Sequence, residues 1–445
     1  MITPPSSTGS SIQRPKYPTA LLTFPTYGGT LAAVRQLGRS GVPVVVAGDE
    51  ILAAARWSRY TSRFLSCPPI KNGDRFVKWL LAYGGRHPGH VLLPTSDETS
   101  FLFASNLKSL EANFRLYQPP LESLLQVLDK KLLWEACRRA GVATIPSWFP
   151  SSEDELHSLG HDLPYPVLIK PRSQVRRIRR NQGVVARSSN DLLSSYRSIA
   201  IQARNFPGYE KLSDADTPMV QQFAEEGSGT VYSVAGFVDR SGEFIVARGA
   251  TKIMQRRQPV GIGVCFEASA LEDELIEGVK RLCREVGHFG VFEVEFVRWN
   301  GTWAAIDFNP RFYNQMALDI ARGLPLPMLI YLGACGEEAS LKAEMHLTAN
   351  RSDDSEFICY DKFTFRAIVT AMRLTGRMSR SKATDWQVWC NEHRGKTIDI
   401  AQDFGDPIPG FVHAMSELKQ GLQAIPRFLS APRVTSRLQE QETKS

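Results

Sequence analysis

The segment that most constrains this chain is the stretch from Phe292 to Asn309, where apolar and polar residues alternate on either side of Trp299, Asn300 and Gly301. A period of two broken by turn residues predicts a β-hairpin. A loop of Asn300 and Gly301 alone would set Glu295 against Ile306, on the opposite face from Asp307. A three-residue loop with Gly301 as a left-handed bulge instead pairs Arg298 with Thr302 and Glu293 with Asp307. That register gathers Glu293, Glu295, Asp307 and Asn309 on one face and leaves Phe292, Val294, Phe296, Ile306 and Phe308 on the other, so it is the expected one. Carboxylates crowded together repel unless a cation lies between them, and hard oxygen ligands suit Mg²⁺ shared with phosphate oxygens. Arg311, just past the strand, is placed to meet a phosphate or acyl phosphate. A polar face that merely meets solvent is the competing reading, and Asn309-Pro310-Arg311 is an unusual way to end such a strand.

The rest of the chain is consistent with a binder of polyanions. Lys170 ends the apolar strand YPVLIKP, where a lone cation is costly without an anion beside it. Lys130 opens a helix capped by Asp129, running through Leu132, Leu133, Ala136, Cys137 and Ala140 to Gly141, and its charge opposes the helix dipole. Both placements make sense around a phosphate, although a solvated Lys130, with Lys131 as its substitute, fits the same pattern. In MVQQFAEE the backbone around Gln222 and Ala224 is suited to pair with a base, with Phe223 on the far side. The basic loop from Arg172 to Gly183, with Arg176, Arg177, Arg179 and Arg180, reads as a lid over phosphates or as an exposed basic patch.

From Ala20 the order strand, PTYGG turn, helix, strand, followed by HVLLPTSD, predicts a parallel sheet. PTYGG is not GxGxxG, which excludes the dinucleotide fingerprint. With 445 residues the chain exceeds one core. The expected division is a flexible tail over 1–16, a Rossmann-like domain over 17–120, a two-lobed α+β domain over 121–345 (lobes about 121–215 and 216–345), and an appendage of unknown role over 346–445. In that last part periodicity fades, and WQVWC and FGDPIPGF fit core packing as well as anything else. A hydrophobic fraction of 43% and charged fraction of 22% are those of a folded protein, and the net charge of +7 favours anionic ligands without requiring nucleic acid. Seven scattered cysteines, none in a CxxC pair, argue against a disulfide framework or zinc site and fit a reduced cytoplasmic setting. No signal peptide or membrane span is expected.

These motifs together resemble the ATP-grasp superfamily. Within it the chain is similar to ATP-dependent carboligases of the D-aspartate ligase kind, and more distantly to the ATP-binding domains of carbamoyl-phosphate synthase and biotin carboxylase. The resemblance covers about residues 17 to 335 and is carried by LDK before a helix ending GVATIP, YPVLIKP, VQQF, and EVEF followed by IDFNPR. It implies that Lys130 and Lys170 bind nucleotide phosphates and that Gln221, Gln222, Phe223 and Ala224 form the adenine hinge. It further implies Glu295, Asp307 and Asn309 as ligands of Mg²⁺ or Mn²⁺, with Glu293 an alternative first ligand. Arg311 would act on the phosphate side, while Lys252, Arg256 and Arg257, in GATKIMQRRQPVGIG, would reach the substrate cleft. Two departures stand out: the flap after Lys170 is Arg-rich with only Gly183, and Ser228, Gly229 and Thr230 occupy the place of a ribose-binding acid, so that either Glu225 or Glu226 takes that role or the contact is lost. The implied activity is an ADP-forming ligase acting on small-molecule carboxylates and amines, with a homodimer left open. A bicarbonate-using carboxylase and a non-catalytic ATP- or RNA-binding module are the alternatives.

Overall fold

The structure is a computed structural model that describes residues 17–175, 183–202, 206–212, 217–225, 230–256, 261–351, 356–374, 376 and 378–429. The expected lid arginines Arg176, Arg177, Arg179 and Arg180, with Glu226, Ser228, Gly229, Arg257 and the tail 1–16, lie outside the described residues.

The chain forms a mixed α/β structure around three sheets. The N-terminal sheet is parallel throughout, in the spatial order Thr61–Ser66, Val44–Gly48, Ala20–Leu22, His90–Leu92, Phe114–Arg115. Ala20–Leu22 and Val44–Gly48 are buried along their whole length, which is why they read as continuous apolar runs. The order reverses between Ala20–Leu22 and His90–Leu92, so the loops leaving those two strands flank a crevice at their carboxyl ends. These loops are PTYGG, entering the helix Gly28–Arg39, and TSD, entering the helix Asp97–Ser105, which Ser96 caps together with Thr99 in a capping box.

A four-stranded antiparallel sheet follows, ordered Ser147–Trp148, Met219–Gln222, Val167–Lys170, Val184–Ala186. Leu192, Tyr196 and Ile199 of the helix Ser189–Ala200 pack on Val167, Ile169 and Val220 and anchor it. The third sheet has seven strands, with the hairpin Gly290–Trp299 and Thr302–Asn309 at one edge, followed by Val231–Val238, Ile245–Gln255 and Gly263–Ser269. Phe292, Val294, Phe296 and Phe308 join one core with Leu124, Val127, Leu133, Ala136, Val279 and Leu282 of three helices.

The segment beyond 345 supplies the two remaining strands of that sheet. Ile358–Tyr360 pairs antiparallel with Gly263–Ser269, and Thr397–Asp399 lies parallel to it. At three residues each, these strands are too short to display a period. Trp386 and Trp389 of WQVWC pack on Phe365 and Tyr360, whereas in FGDPIPGF Asp406 is buried and Phe404 and Phe411 are exposed. No helix among the described residues is long and apolar enough to cross a membrane.

Candidate active site

The hairpin reaches the expected face by a different route. Trp299 pairs with Thr302, so the loop is the two-residue Asn300-Gly301, with φ of 48° and 75° as a type I′ turn requires. The expected three-residue loop and its pairing of Glu293 with Asp307 are therefore incorrect. A β-bulge at Ile306 shifts the register further along, and Glu295 then faces Asp307 while Glu293 faces Asn309. Ile306 leaves the apolar face to which it was assigned and lines the cleft, where its carbonyl accepts from Lys170 Nζ at 3.2 Å. Just before the bulge, Ala305 is held on its outer side by Ala143 and Thr144, which fixes the strand where the register changes.

The charged face lines an open cleft between the three sheets. Lys130 forms an ion pair with Asp307, and Lys252 Nζ lies 2.8 Å from Glu295 Oε1. Arg311 donates to Asp97 Oδ1 at 2.9 Å, to Tyr27 Oη at 3.3 Å and to Asn309 Oδ1 at 2.7 Å. Glu293 accepts from Asn309 Nδ2 at 3.0 Å and from Gln315 Nε2. The lysines come from three elements: the N-terminus of the helix Lys130–Arg139, the end of Val167–Lys170, and Ile245–Gln255. Asp129 caps the first through Lys131 N at 2.8 Å and also pairs with Arg172, so the cap ties the helix to the segment after Lys170.

Crowding shifts these groups. Burial, reinforced by Lys130, lowers the Lys170 ammonium to about 7. Burial and the neighbouring Glu295 push Glu293 up to about 8. Burial alone would raise Asp307, but Lys130, Lys170 and Arg311 outweigh it and hold the carboxyl below its usual range. Burial opposes the charge of Lys252 as well, and Glu295 overcomes it and raises the ammonium.

Beyond the charges, Ile145, Leu168, Val231, Val297 and Ile306 form an apolar slot. Gln221, Gln222, Phe223 and Ala224 line its edge, with Gln222 N bonded to Pro146 O, Phe223 N to Pro166 O and Gln221 Nε2 to Ser147 Oγ. Of the expected site residues, Lys130, Lys170, Lys252, Gln221 to Ala224, Glu295, Asp307, Asn309 and Arg311 all line this one cleft. Arg256 does not: it is half-exposed and pairs with Glu417. Glu225, proposed for the ribose, is exposed and outside the cleft lining.

Sequence reasoning missed Tyr27, Asp97, Gln174, Asn314 and Gln315, which also line the cleft. Tyr27 and Asp97 leave the two strands at the order reversal, a signal legible once the sheet order is known. Gln174 buries both amide atoms without a hydrogen-bond partner among the described residues, as a side chain awaiting a ligand would.

Among the described residues no group of three or more His, Cys, Asp or Glu side chains is arranged to hold a metal by itself. Two carboxylates and a carboxamide are present instead. That set fits Mg²⁺, which takes one or two carboxylates and completes its shell with water and substrate phosphate oxygens.

No protein-family model matches the chain, and no curated protein matches it in sequence. Solved structures do match. Biotin carboxylase from Campylobacter jejuni superposes with a TM-score of 0.57 at 17% identity, over 71% of this chain and 70% of that one. N5-carboxyaminoimidazole synthetase from Staphylococcus aureus, complexed with ADP, gives 0.55 at 13% identity over 72% and 78%. L-amino acid ligase from Bacillus licheniformis gives 0.55 at 15% identity over 72% and 74%. At such identities the likeness is one of fold.

Proposed function

We propose that this chain, which has the ATP-grasp fold, is an ADP-forming ligase that activates a small-molecule carboxylate as an acyl phosphate and joins it to an amine. The observation that carries the reading is the cleft itself, where Lys130, Lys170, Lys252 and Arg311 interleave with Glu293, Glu295 and Asp307 beside an apolar slot. A nucleoside triphosphate needs such a pairing of fixed cations and apolar wall.

The base would occupy the slot against Leu168, Val231 and Val297. Because Gln222 and Phe223 have committed their amides, hydrogen bonding to it falls to the hinge carbonyls and the Ala224 backbone. Lys130 and Lys170 would meet the phosphates, and a polyanion beside Lys170 raises its ammonium from about 7 and keeps it charged. Glu295, Asp307 and Asn309 would hold Mg²⁺ or Mn²⁺, which supplies positive charge to phosphate oxygens when bound. Arg311, oriented by Asp97 and Tyr27, would steady the acid on the side of the parallel sheet. An oxygen of the acid displaces ADP from the terminal phosphorus. The amine then attacks the acyl carbon and expels phosphate. Positioning and charge carry both steps, and closure of the cleft protects the acyl phosphate from water.

The test is a screen for ADP release with acids paired against amines, with the product weighed by mass spectrometry. The reading requires a pair that releases ADP together and yields their condensed mass. Release that needs bicarbonate and no other acid would make the protein a carboxylase. Tight ATP binding without turnover across the panel, or salt-sensitive RNA binding, would place it outside catalysis.

A further inference from the structure

The helix Ile408–Leu429 carries apolar side chains on both of its sides. Its inward side buries Pro409, Gly410 and Val412 and adds two polar contacts: His413 Nε2 lies 2.5 Å from Asp361 Oδ2, and Glu417 pairs with Arg256. Its outward side is apolar, with Ile408 54%, Phe411 70%, Met415 41% and Leu418 47% exposed, and the preceding Phe404 stands fully in solvent. A helix resting on a core normally keeps its outward side polar.

The spacing identifies what covers such a face. Ile408, Phe411, Met415 and Leu418 follow intervals of three, four and three residues, and the sequence continues the series at Leu422, Ile425 and Leu429. An unbroken seven-residue repeat of apolar positions forms the narrow seam of a helix pair. A helix lying in a lipid surface needs a broader apolar face and a strongly basic polar one. Here the polar side offers His413, Ser416 and Glu417, and the only Lys or Arg residues between 408 and 429 are Lys419 and Arg427.

We propose that Ile408–Leu429 is a dimerisation helix, pairing along this seam with the same helix of a second copy, with Phe404 closing one end. Five side chains exposed to this degree offer roughly 600 Å² per copy, taking about 150–250 Å² for a whole aromatic residue. Two copies would then bury about 1,200 Å², the lower bound of a specific interface. The pairing also bears on the cleft. Glu417 holds Arg256 from this same helix, and the strand containing Arg256's neighbour Gln255 lines the cleft, as do Gly261, Ile262 and Gly263.

Sedimentation velocity of the full chain at micromolar concentrations tests the proposal, with a species of twice the chain mass expected. Met415→Glu with Leu418→Glu should sediment as a monomer and keep its far-UV circular dichroism spectrum, because both side chains face outward. Met415→Ala with Leu418→Ala, which adds no charge, should weaken the dimer at least about tenfold. A wild type that stays monomeric, or a glutamate variant that stays dimeric, overturns the proposal. A monomeric wild type that pellets with phosphatidylserine vesicles overturns it in favour of a lipid surface.

Discussion

Asp406 and Asp307 are both acids paired with buried cations, yet they are held in opposite ways. Asp406 accepts from Arg35 Nε at 3.0 Å, Ser58 Oγ at 2.7 Å and Arg59 N at 2.8 Å, and Arg35 Nη2 donates to the carbonyls of Ala401 and Asp406. The cluster bolts the C-terminal segment to the parallel sheet, and both oxygens of the Asp406 carboxylate are engaged. Asp307 takes its bonds on Oδ1, from Lys130 Nζ and its neighbour Phe308 N, and faces the cleft beside Glu295. An ion pair engaged on both carboxylate oxygens is a staple. An ion pair with capacity left over, on the wall of a cavity, is a site.

The contrast is easiest to break at the staple. Asp406→Ala strands a buried guanidinium and should cost about 3–5 kcal/mol in denaturant unfolding, with nucleotide affinity of the folded protein retained. A loss below about 1 kcal/mol would erase the distinction. Asp307→Asn should invert the pattern: ADP formation falls at least about 100-fold, while less stability is lost than in Asp406→Ala because ligand anions and water reach Lys130. Normal turnover by this variant would contradict the proposed role.

A smaller effect separates out the intermediate case, His413 with Asp361. Burial opposes the His413 charge, but Asp361, with Glu417 and Asp399 nearby, raises it above 6.5. Asp361 is held below 3.8 against its own burial, chiefly by His413 and Thr364. The histidine's contribution is therefore complete below 6.5 and fades as pH rises through its elevated value, whereas the aspartate's fades only in acid. His413→Gln should cost more stability near about pH 6 than near about pH 9. Equal costs at the two pH values would show that the pair is a neutral hydrogen bond.

How much could be read in advance follows from the range of each signal. Alternation along Phe292–Asn309 separated Glu293, Glu295 and Asp307 from Phe292, Val294 and Phe308 correctly, because successive side chains of a strand point to opposite faces whatever surrounds it. Asp129 was legible as a cap for the same reason: the contact spans two residues. The outward stripe of Ile408, Phe411, Met415 and Leu418 escaped notice because an apolar repeat does not say which way it faces.

The sequence by itself determined the local periods, the caps and the charge carried by the hairpin. Tertiary structure decided the rest. The bulge at Ile306 depends on Ala143 and Thr144 bracing the strand beside it and on Lys170 reaching its carbonyl, neither of which a two-residue turn announces. Arg311 meets Tyr27 and Asp97 across 284 and 214 residues of chain. A contact at that separation exists only once two sheets have packed, because nothing in the residues between them records the distance that folding removes.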